Sequence, residues 1–222
     1  MKAIAIIPAR GNSKSVVKKN IRHYKEKPLV FHTIQHALDS VLIGAIFVST
    51  EDREIALACI EYGNKNNTHK KPFYVFKRPL ELSQDQVQVD EVALFTLRQM
   101  QRLGIYPQSL CILQPTSPTR TPMEIDNAIA LHFETSKTVI SVSKEKGFFW
   151  EQNGNYAFPI HHEPTERLGR QWYNSNWLSK ENGAIYIVSA ENLEKHKSMR
   201  GGATLLFETL DIDIDEEKDF AK

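Results

Sequence analysis

The sequence is poor in cysteine and has no long apolar run, and both absences limit what the protein can be. Only Cys59 and Cys111 are present among 222 residues, and each lies in a short apolar stretch. Two cysteines form neither a disulfide framework nor a zinc site, so we expect buried, reduced thiols. No segment approaches the roughly 20 apolar residues of a membrane-spanning helix, and the first apolar run is too short for a signal peptide. We therefore expect a soluble, cytoplasmic protein.

The sequence also lacks a surplus of charge and two common nucleotide-binding motifs. Lys and Arg together number 28 and Asp and Glu 27. This near-neutral balance argues against a globally basic nucleic-acid-binding protein. Neither the glycine-rich Walker A motif nor a Gly-x-Gly-x-x-Gly fingerprint follows the first apolar run, which disfavours an ATPase and a nicotinamide-dependent oxidoreductase.

Short apolar runs alternate with segments of helical periodicity along most of the chain. With 41% hydrophobic residues, 222 residues suffice for one core, so we expect a single domain over residues 1–222. The runs predict strands, and the periodic segments predict helices covering both faces of a mostly parallel sheet. The predicted strands are 3–7, 45–48, 73–76, 110–113, 138–142 and 184–188. The predicted helices are 29–38, 52–62 (ended by Gly63), 89–103 (ended by Gly104) and 122–133.

This alternation stops between residues 147 and 178. The stretch contains all three tryptophans, Trp150, Trp172 and Trp177, together with Pro159 and Pro164. We interpret it as an insertion. Its aromatic side chains form either a partner surface or a small local core, and the sequence leaves both open.

Two blocks of opposite charge lie near the two ends of the chain. Residues 10–27 contain seven basic residues and one acid, whereas residues 208–219 contain seven acids and one base. The basic block forms the loop after the first predicted strand (the basic loop). Ligands of open parallel sheets bind at the carboxyl ends of strands. The small residues of this loop, among them Gly11 and Ser13, allow backbone N–H groups to approach phosphate oxygens.

The acidic block contains Asp213 and Asp215, which point to the same side if the chain there is extended. Paired carboxylates suit Mg²⁺. The alternative is a solvated acidic tail, against which Ile212 and Ile214 favour an ordered strand. A basic loop for a polyphosphate and a carboxylate pair for its metal are the equipment of phosphoryl or nucleotidyl transfer.

Segments along nearly the whole chain resemble the acylneuraminate cytidylyltransferases, the CMP-sialic acid synthetases, in the same order. Residues 6–14 read Ile-Ile-Pro-Ala-Arg-Gly-Asn-Ser-Lys and continue to Lys-Lys-Asn-Ile at 18–21. The other matching segments are Val-Ser-Thr-Glu-Asp at 48–52, Arg-Pro at 78–79 with Leu-Ser-Gln-Asp at 82–85, Gln-Pro-Thr-Ser-Pro-Thr-Arg at 114–120, Glu-Asn-Gly-Ala-Ile-Tyr at 181–186, and Asp-Ile-Asp at 213–215 with Asp219.

This resemblance implies a Rossmann-like nucleotide-diphospho-sugar transferase fold, CTP and an acidic nine-carbon sugar as substrates, Mg²⁺ as cofactor, and a homodimer joined by the insertion. By matching position, it implies that Arg10 and Lys19 hold the triphosphate and that Asp213 and Asp215 bind the metal. The further nucleotide-binding residues it implies are Ser13, Asn20 and Arg78.

The sugar side of the site is expected at Gln114 and in the insertion. Arg167 and Gln171 match an arginine-rich segment of the family, and Arg170 lies beside them. Because a planar arginine holds a carboxylate through two hydrogen bonds, we expect these residues to bind the acidic sugar, with one insertion arginine supplied by the partner subunit.

Two rival interpretations remain at this stage. One is a cytidylyltransferase for legionaminate or another nonulosonate, since residues 86–90 depart from the family pattern and leave the exact sugar open. The chain also departs from that pattern at Ser15 and Val17, which bear on the stiffness or bend of the loop after the first strand. The other is a catalytically silent nucleotide-binding protein, which the presence of Lys19, Asp213 and Asp215 disfavours.

Overall fold

A seven-stranded sheet forms the centre of the molecule in the computed structural model, which describes residues 1–160, 165 and 177–221. In spatial order its strands are β11 (Thr204–Glu208), β7 (Thr138–Lys146), β10 (Trp177–Ser189), β6 (Ser109–Ile112), β1 (Ala3–Pro8), β4 (Ile43–Thr50) and β5 (Phe73–Lys77). β10 runs antiparallel to both neighbours, and the other neighbouring pairs are parallel. The predicted mostly parallel sheet is confirmed.

Helices cover both faces of this sheet, as the alternating pattern predicts. They are α1 (Leu29–Asp39), α2 (Arg53–Asn66), α3 (Val89–Arg102), α4 (Pro122–Thr135) and α5 (Ala190–His196). Because side chains alternate along a strand, Ala5 and Ile7 of β1 join the core formed with α1, α2 and α4, whereas Ile6 joins the core formed with α3 and α5. Each face of the central strands is therefore apolar.

Polar caps set the starts of three helices. The Asp52 carboxylate accepts a hydrogen bond from the Ile55 N–H at 3.0 Å at the start of α2. Thr121 and Glu124 form a reciprocal capping box at the start of α4, where Pro122 occupies the first turn. Gln88 and Glu91 do the same for α3. These caps pair backbone N–H groups at the start of each helix that would otherwise lack a partner.

Gly63 does not end α2, contrary to the prediction. The helix continues to Asn66, and this glycine instead permits a close approach between helix and sheet. A Cβ at residue 63 would lie 2.6 Å from a ring carbon of Phe73, at the start of β5. The absent side chain therefore serves packing between α2 and β5.

The segment after β7 contains a separate two-stranded antiparallel hairpin. Its strands are β8 (Phe149–Asn153) and β9 (Tyr156–Ile160). β10 already begins at Trp177, which pairs with Lys146, so the main sheet resumes inside the stretch 147–178. The small strands β2 (His23–Tyr24) and β3 (Lys27–Pro28) form another two-stranded sheet at the end of the basic block.

The acidic block is ordered without forming the strand that Ile212 and Ile214 suggest. Residues 209–215 do not form a strand. Instead, the fully buried Ile214 packs against Tyr24 and Leu29, and its N–H donates to the Thr116 carbonyl at 2.8 Å. This apolar anchor fixes the extended segment that carries Asp213 and Asp215.

Two further expectations concern the cysteines and membrane-spanning helices. Cys59 and Cys111 are buried free thiols, and burial raises the pKa of each to about 12. Within residues 1–160 and 177–221, no helix combines the length and apolar character that a bilayer crossing requires.

The close approach at Gly63 generates the first testable prediction. Gly63→Ala should lower the free energy of unfolding by about 1–2 kcal/mol, since the cost of overpacking against Phe73 exceeds the gain in helix propensity. Urea unfolding of the variant measures this change. In a Phe73→Leu background, which removes the facing ring, the same substitution should cost less. Stabilisation by Gly63→Ala in the native background would contradict this account.

Candidate active site

A cavity of about 250 Å³ lies at the carboxyl ends of β1 and β6. Ligands of open α/β sheets bind at this edge. Seven residues predicted to serve the site line this cavity, namely Arg10, Ser13, Lys19, Asn20, Arg78, Gln114 and Asp215. Thr116, also in the lining, lies beside Asp213. Arg167, Arg170 and Gln171 lie outside the described residues.

Lys19 joins the basic block to the acidic block. Its side chain is only 10% exposed. Its ammonium group donates to the Ile214 carbonyl at 2.8 Å and to the carbonyl and carboxylate of Asp215, both at 3.2 Å. Lys18 adopts a left-handed backbone conformation and begins the short 3-10 turn Lys19–Ile21 that directs Lys19 inward. One buried cation therefore fixes both blocks at the cavity.

Asn20 fastens the same turn to the end of β1. Its side-chain amide donates to the Arg10 carbonyl at 2.8 Å, and the residue is buried. Asn20 therefore supports the position of Arg10 at the cavity through the backbone. This role is structural, and the sequence-based assignment of Asn20 to nucleotide binding stays a prediction.

The carboxylates of Asp213 and Asp215 lie close enough to repel each other. Burial raises the pKa of Asp213 to about 6, and the negative charge of Asp215 contributes to the rise. A bound cation would relieve this repulsion. The described residues contain no cluster of three or more His, Cys, Asp or Glu suited to a metal. Two carboxylates nevertheless fit Mg²⁺, which commonly takes one or two protein carboxylates and completes its shell with water and phosphate oxygens.

The Arg78 side chain pairs with a carboxylate of the protein itself. It is 3% exposed, and its Nε donates to Glu51 at 3.0 Å and to the Ser83 hydroxyl at 2.9 Å. The other oxygen of Glu51 accepts the Gly11 N–H at 2.7 Å. Arg78 therefore lines the cavity and also braces the start of the basic loop through Glu51.

Residue 11 must be glycine because its backbone passes close to Asp52, which follows the end of β4. A Cβ there would lie 2.5 Å from the Asp52 carboxylate. Although burial acts to raise the pKa of Glu51, hydrogen bonds from backbone N–H groups and from the Ser83 hydroxyl, together with the positive charge of Arg78, lower that pKa. Glu51 is thus a stable anion, and it holds the basic loop through its hydrogen bond from the Gly11 N–H.

Among the residues that the structure describes, Arg120 is the largest fully buried side chain, and the sequence analysis gave it no role. Its guanidinium donates to the carbonyls of Gln114 and Ala184, and to the Thr33 hydroxyl at 2.8 Å. Burial lowers its pKa to about 10. Arg120 therefore ties the end of β6 to β10 and α1 directly behind Gln114. Its place at the end of the 114–120 motif was the only signal available.

An irregularity in β10 faces Gln114. The pairing register shifts between Glu181 and Tyr186, and Gly183 has a positive φ of 74°. Asn182 holds the irregular segment by accepting from the Ser141 hydroxyl and donating to the Thr209 hydroxyl, both at 2.7 Å. A Cβ on Gly183 would contact the Gln114 amide at 3.5 Å. The backbone of β10 thus forms one side of the space around Gln114.

The buried position of Arg120 generates a prediction about stability. Arg120→Met retains much of the side-chain volume but removes the guanidinium that donates to the Ala184 carbonyl and the Thr33 hydroxyl, whereas the Gln114 carbonyl keeps the Ser117 N–H at 3.4 Å. We expect a loss of about 3 kcal/mol in the free energy of unfolding, measured by urea denaturation. Arg98→Met, at an exposed position of α3, is the control and should change stability by less than about 0.5 kcal/mol. Equal stability of the two variants would contradict this role.

Comparison with known proteins places this geometry in a family. A family model for cytidylyltransferases matches residues 4–72. The CMP-N,N'-diacetyllegionaminic acid synthase of Legionella pneumophila is 34% identical, covering 100% of this chain and 94% of the relative. The N-acylneuraminate cytidylyltransferase A of Danio rerio is 31% identical over 95% of this chain, which spans only 48% of that longer protein.

A solved structure agrees with the fold. The CMP:2-keto-3-deoxy-manno-octonic acid synthetase complexed with CTP has a TM-score of 0.69 and 15% sequence identity, covering 100% of this chain and 98% of that chain. At this identity the likeness shows the fold alone. The sequence relatives carry the closer assignment, and the predicted enzyme class is confirmed. This chain is a nucleotidyltransferase that belongs to the acylneuraminate cytidylyltransferase family.

Proposed function

We propose that this protein transfers CMP from CTP to the anomeric hydroxyl of an acidic nine-carbon sugar and releases pyrophosphate, with Mg²⁺ as cofactor. The observation that carries the proposal is the contact between Lys19 and Asp215, 3.2 Å apart at the cavity. It joins a cationic loop suited to phosphates with a carboxylate pair suited to their metal. The names of the sequence relatives support CTP and a nonulosonate as substrates.

The basic residues act by charge and position. Arg10 extends from the end of β1, and Lys19 is held rigidly by three oxygen acceptors. Arg10 would donate to a phosphate oxygen, whereas Lys19, whose three donors already contact oxygens of residues 214 and 215, would act on the triphosphate through its positive charge. Both would stabilise the negative charge that develops on the leaving pyrophosphate. Cations fixed before the reaction require little reorganisation as that charge develops. Ser13 would contribute a hydroxyl to the same phosphates.

The metal would be held by Asp213 and Asp215. When bound, Mg²⁺ neutralises phosphate charge and orients the α-phosphate for attack. Asp219 supports the pair by accepting the backbone N–H groups of Asp215 and Glu216 at 3.0 and 2.8 Å. The chain therefore braces the segment that carries the two carboxylates.

The sugar would lie between Gln114 and the insertion. The Gln114 side chain faces the irregular segment of β10, and we propose that its amide binds a sugar hydroxyl. Arg167, Arg170 and Gln171 remain a prediction for the sugar carboxylate. N-acetylneuraminate is the first candidate sugar. The near full-length match to a legionaminate enzyme favours N,N'-diacetyllegionaminate as the second.

A coupled assay tests the reaction and the metal site together. CTP, Mg²⁺ and either sugar should yield pyrophosphate and a CMP-sugar detectable by mass spectrometry, and EDTA should stop the reaction. Asp213→Asn or Asp215→Asn should reduce turnover by about 100-fold or more, on the scale of a lost charge-stabilising contact. Neither amide balances a divalent cation.

Glu217→Gln is the matched control for these variants. Glu217 belongs to the same acidic block, but it is 66% exposed and pairs with Arg22. Its variant should retain near-normal turnover. Near-normal activity of both aspartate variants would refute the metal assignment, and the absence of product from a panel of nonulosonates would refute the proposed reaction.

We also propose that the hairpin β8–β9 forms a homodimer interface. Tyr156 and Phe158 lie two residues apart on one strand face, and they are 75% and 55% exposed. Exposed aromatic side chains on a two-stranded hairpin favour a contact with a partner. A second subunit would also bring another insertion near the sugar side. A cytoplasmic location likewise stays a prediction.

Light scattering tests the assembly. The native protein should have the mass of a dimer at about 10 µM, and Tyr156→Asp with Phe158→Asp should shift it towards the monomer because buried charges destabilise an apolar interface. Tyr106→Asp is the matched control, since Tyr106 is equally exposed at 75% but lies outside the hairpin. A native monomer at this concentration would refute the proposal.

A further inference from the structure

One carboxylate bridges two cations of the basic loop across the cavity. Oδ1 of Asp85 accepts a hydrogen bond from Nη1 of Arg10 at 2.9 Å, and Oδ2 lies 2.7 Å from Nζ of Lys14. The hydrogen bond from Lys14 and the positive charge of both cations lower the pKa of Asp85. The carboxylate is therefore a stable anion held between two positive groups.

The bridge connects opposite walls of the site. Arg10 and Lys14 follow β1, whereas Asp85 lies between the 3-10 turn Leu80–Ser83 and α3. The partners in the Arg10 contact are 75 residues apart in the sequence. Asp85 consequently reaches across from the wall that faces the loop.

The same bridge lies at the boundary between two cavities. One is the cavity of about 250 Å³ that contains Lys19 and Gln114, and the other, of about 690 Å³, is lined by Asn12, Lys14 and Glu51. Both share Ser13, Gln84 and Asp85 in their linings. Release of Asp85 would leave one continuous cleft along the basic loop.

The Asp85 carboxylate contacts the two cations in the way that a bound phosphate would. Two oxygens on one anionic centre each meet a different cation, and arginine and lysine pair with phosphate oxygens through the same donors. The contact is also weak enough to exchange, since the side chains of Arg10 and Asp85 are both 38% exposed and that of Lys14 is 86% exposed. Ion pairs this exposed contribute little stability.

We propose that Asp85 is an internal competitor for a nucleotide phosphate. Without nucleotide, it holds Arg10 and Lys14; when a triphosphate enters, a phosphate replaces the carboxylate on both cations, and the two cavities join. When pyrophosphate leaves, the carboxylate returns. Asp85 therefore sets the affinity for the nucleotide and assists product release. This inference rests on the proposed function, because it requires that the loop binds phosphates.

Binding of inorganic pyrophosphate and of CTP to Asp85→Asn tests the inference by calorimetry. Because the neutral amide competes less well for the two cations, the variant should bind both ligands about threefold to tenfold more tightly than the native protein. The difference should shrink at 0.5 M salt, since exposed charges are screened. Slower release of pyrophosphate in stopped-flow measurements should accompany the tighter binding.

Glu54→Gln is the matched control. Glu54 pairs with Lys18 of the same loop at 2.6 Å, with both side chains 60% exposed, and neither residue lines the two cavities. Its variant should bind pyrophosphate with native affinity. Circular dichroism of all proteins establishes that each is folded.

The outcomes separate this inference from the proposed function. If the native protein binds pyrophosphate and Asp85→Asn binds it equally or more weakly, Asp85 is no competitor and this inference is wrong. If Glu54→Gln tightens binding as much as Asp85→Asn, the effect is one of general charge and the inference is also wrong. If the folded native protein binds neither pyrophosphate nor CTP, the proposed function fails, and this inference fails with it.

Discussion

The rest of the site depends on one buried ammonium group, that of Lys19. A cation removed from water is costly unless oxygen acceptors surround it, and the acceptors that Lys19 contacts lie in residues 214 and 215, almost two hundred positions further along the chain. The fold must therefore bring the end of the chain to the loop after β1. Ile214 makes this possible by burying its side chain against Tyr24 and Leu29. The result is that the basic and acidic blocks, distant in sequence, face one cavity.

The walls of that cavity are held by buried polar groups that do not belong to a regular ladder. Arg120 satisfies one carbonyl just after β6 and one in the irregular part of β10, and Asn182 holds that irregular part through two hydroxyl groups. Such networks are stable only when most of their members are paired. They also restrict movement, so that Gln114 and Gly183 keep one relative position. The sheet therefore provides a rigid wall, whereas the loop after β1 is attached by side chains.

The sequence predicted features that depend on local pattern, and it failed where long-range contacts decide. Apolar runs and helical spacing located the strands and helices, because burial on a sheet imposes those periods. The predicted end of α2 was wrong because residue 63 is glycine to allow close packing against Phe73 of β5, and not to end the helix. Residues 212–215 were expected as a strand, but Ile214 is ordered by burial and one hydrogen bond to residue 116. Of the seven predicted site residues that line the cavity, Arg10, Arg78 and Gln114 closely follow the ends of strands, whereas the contact between Lys19 and residues 214 and 215 brings Asp215 there.

The residues to which the sequence analysis gave no role share one property. Glu51, Asp85 and Arg120 act through partners far away in sequence. The loop cations are largely neutralised inside the protein, since Lys18, Arg22 and Lys19 pair with Glu54, Glu217 and Asp215. A long nucleic-acid backbone would meet these internal counterions along the loop. A short polyphosphate needs only the contacts at the cavity, where Asp85 is 38% exposed but Glu51, paired with Arg78, is 6% exposed. The loop is thus suited to a small anion that displaces the Asp85 carboxylate, while the pair of Glu51 and Arg78 that supports the loop stays in place.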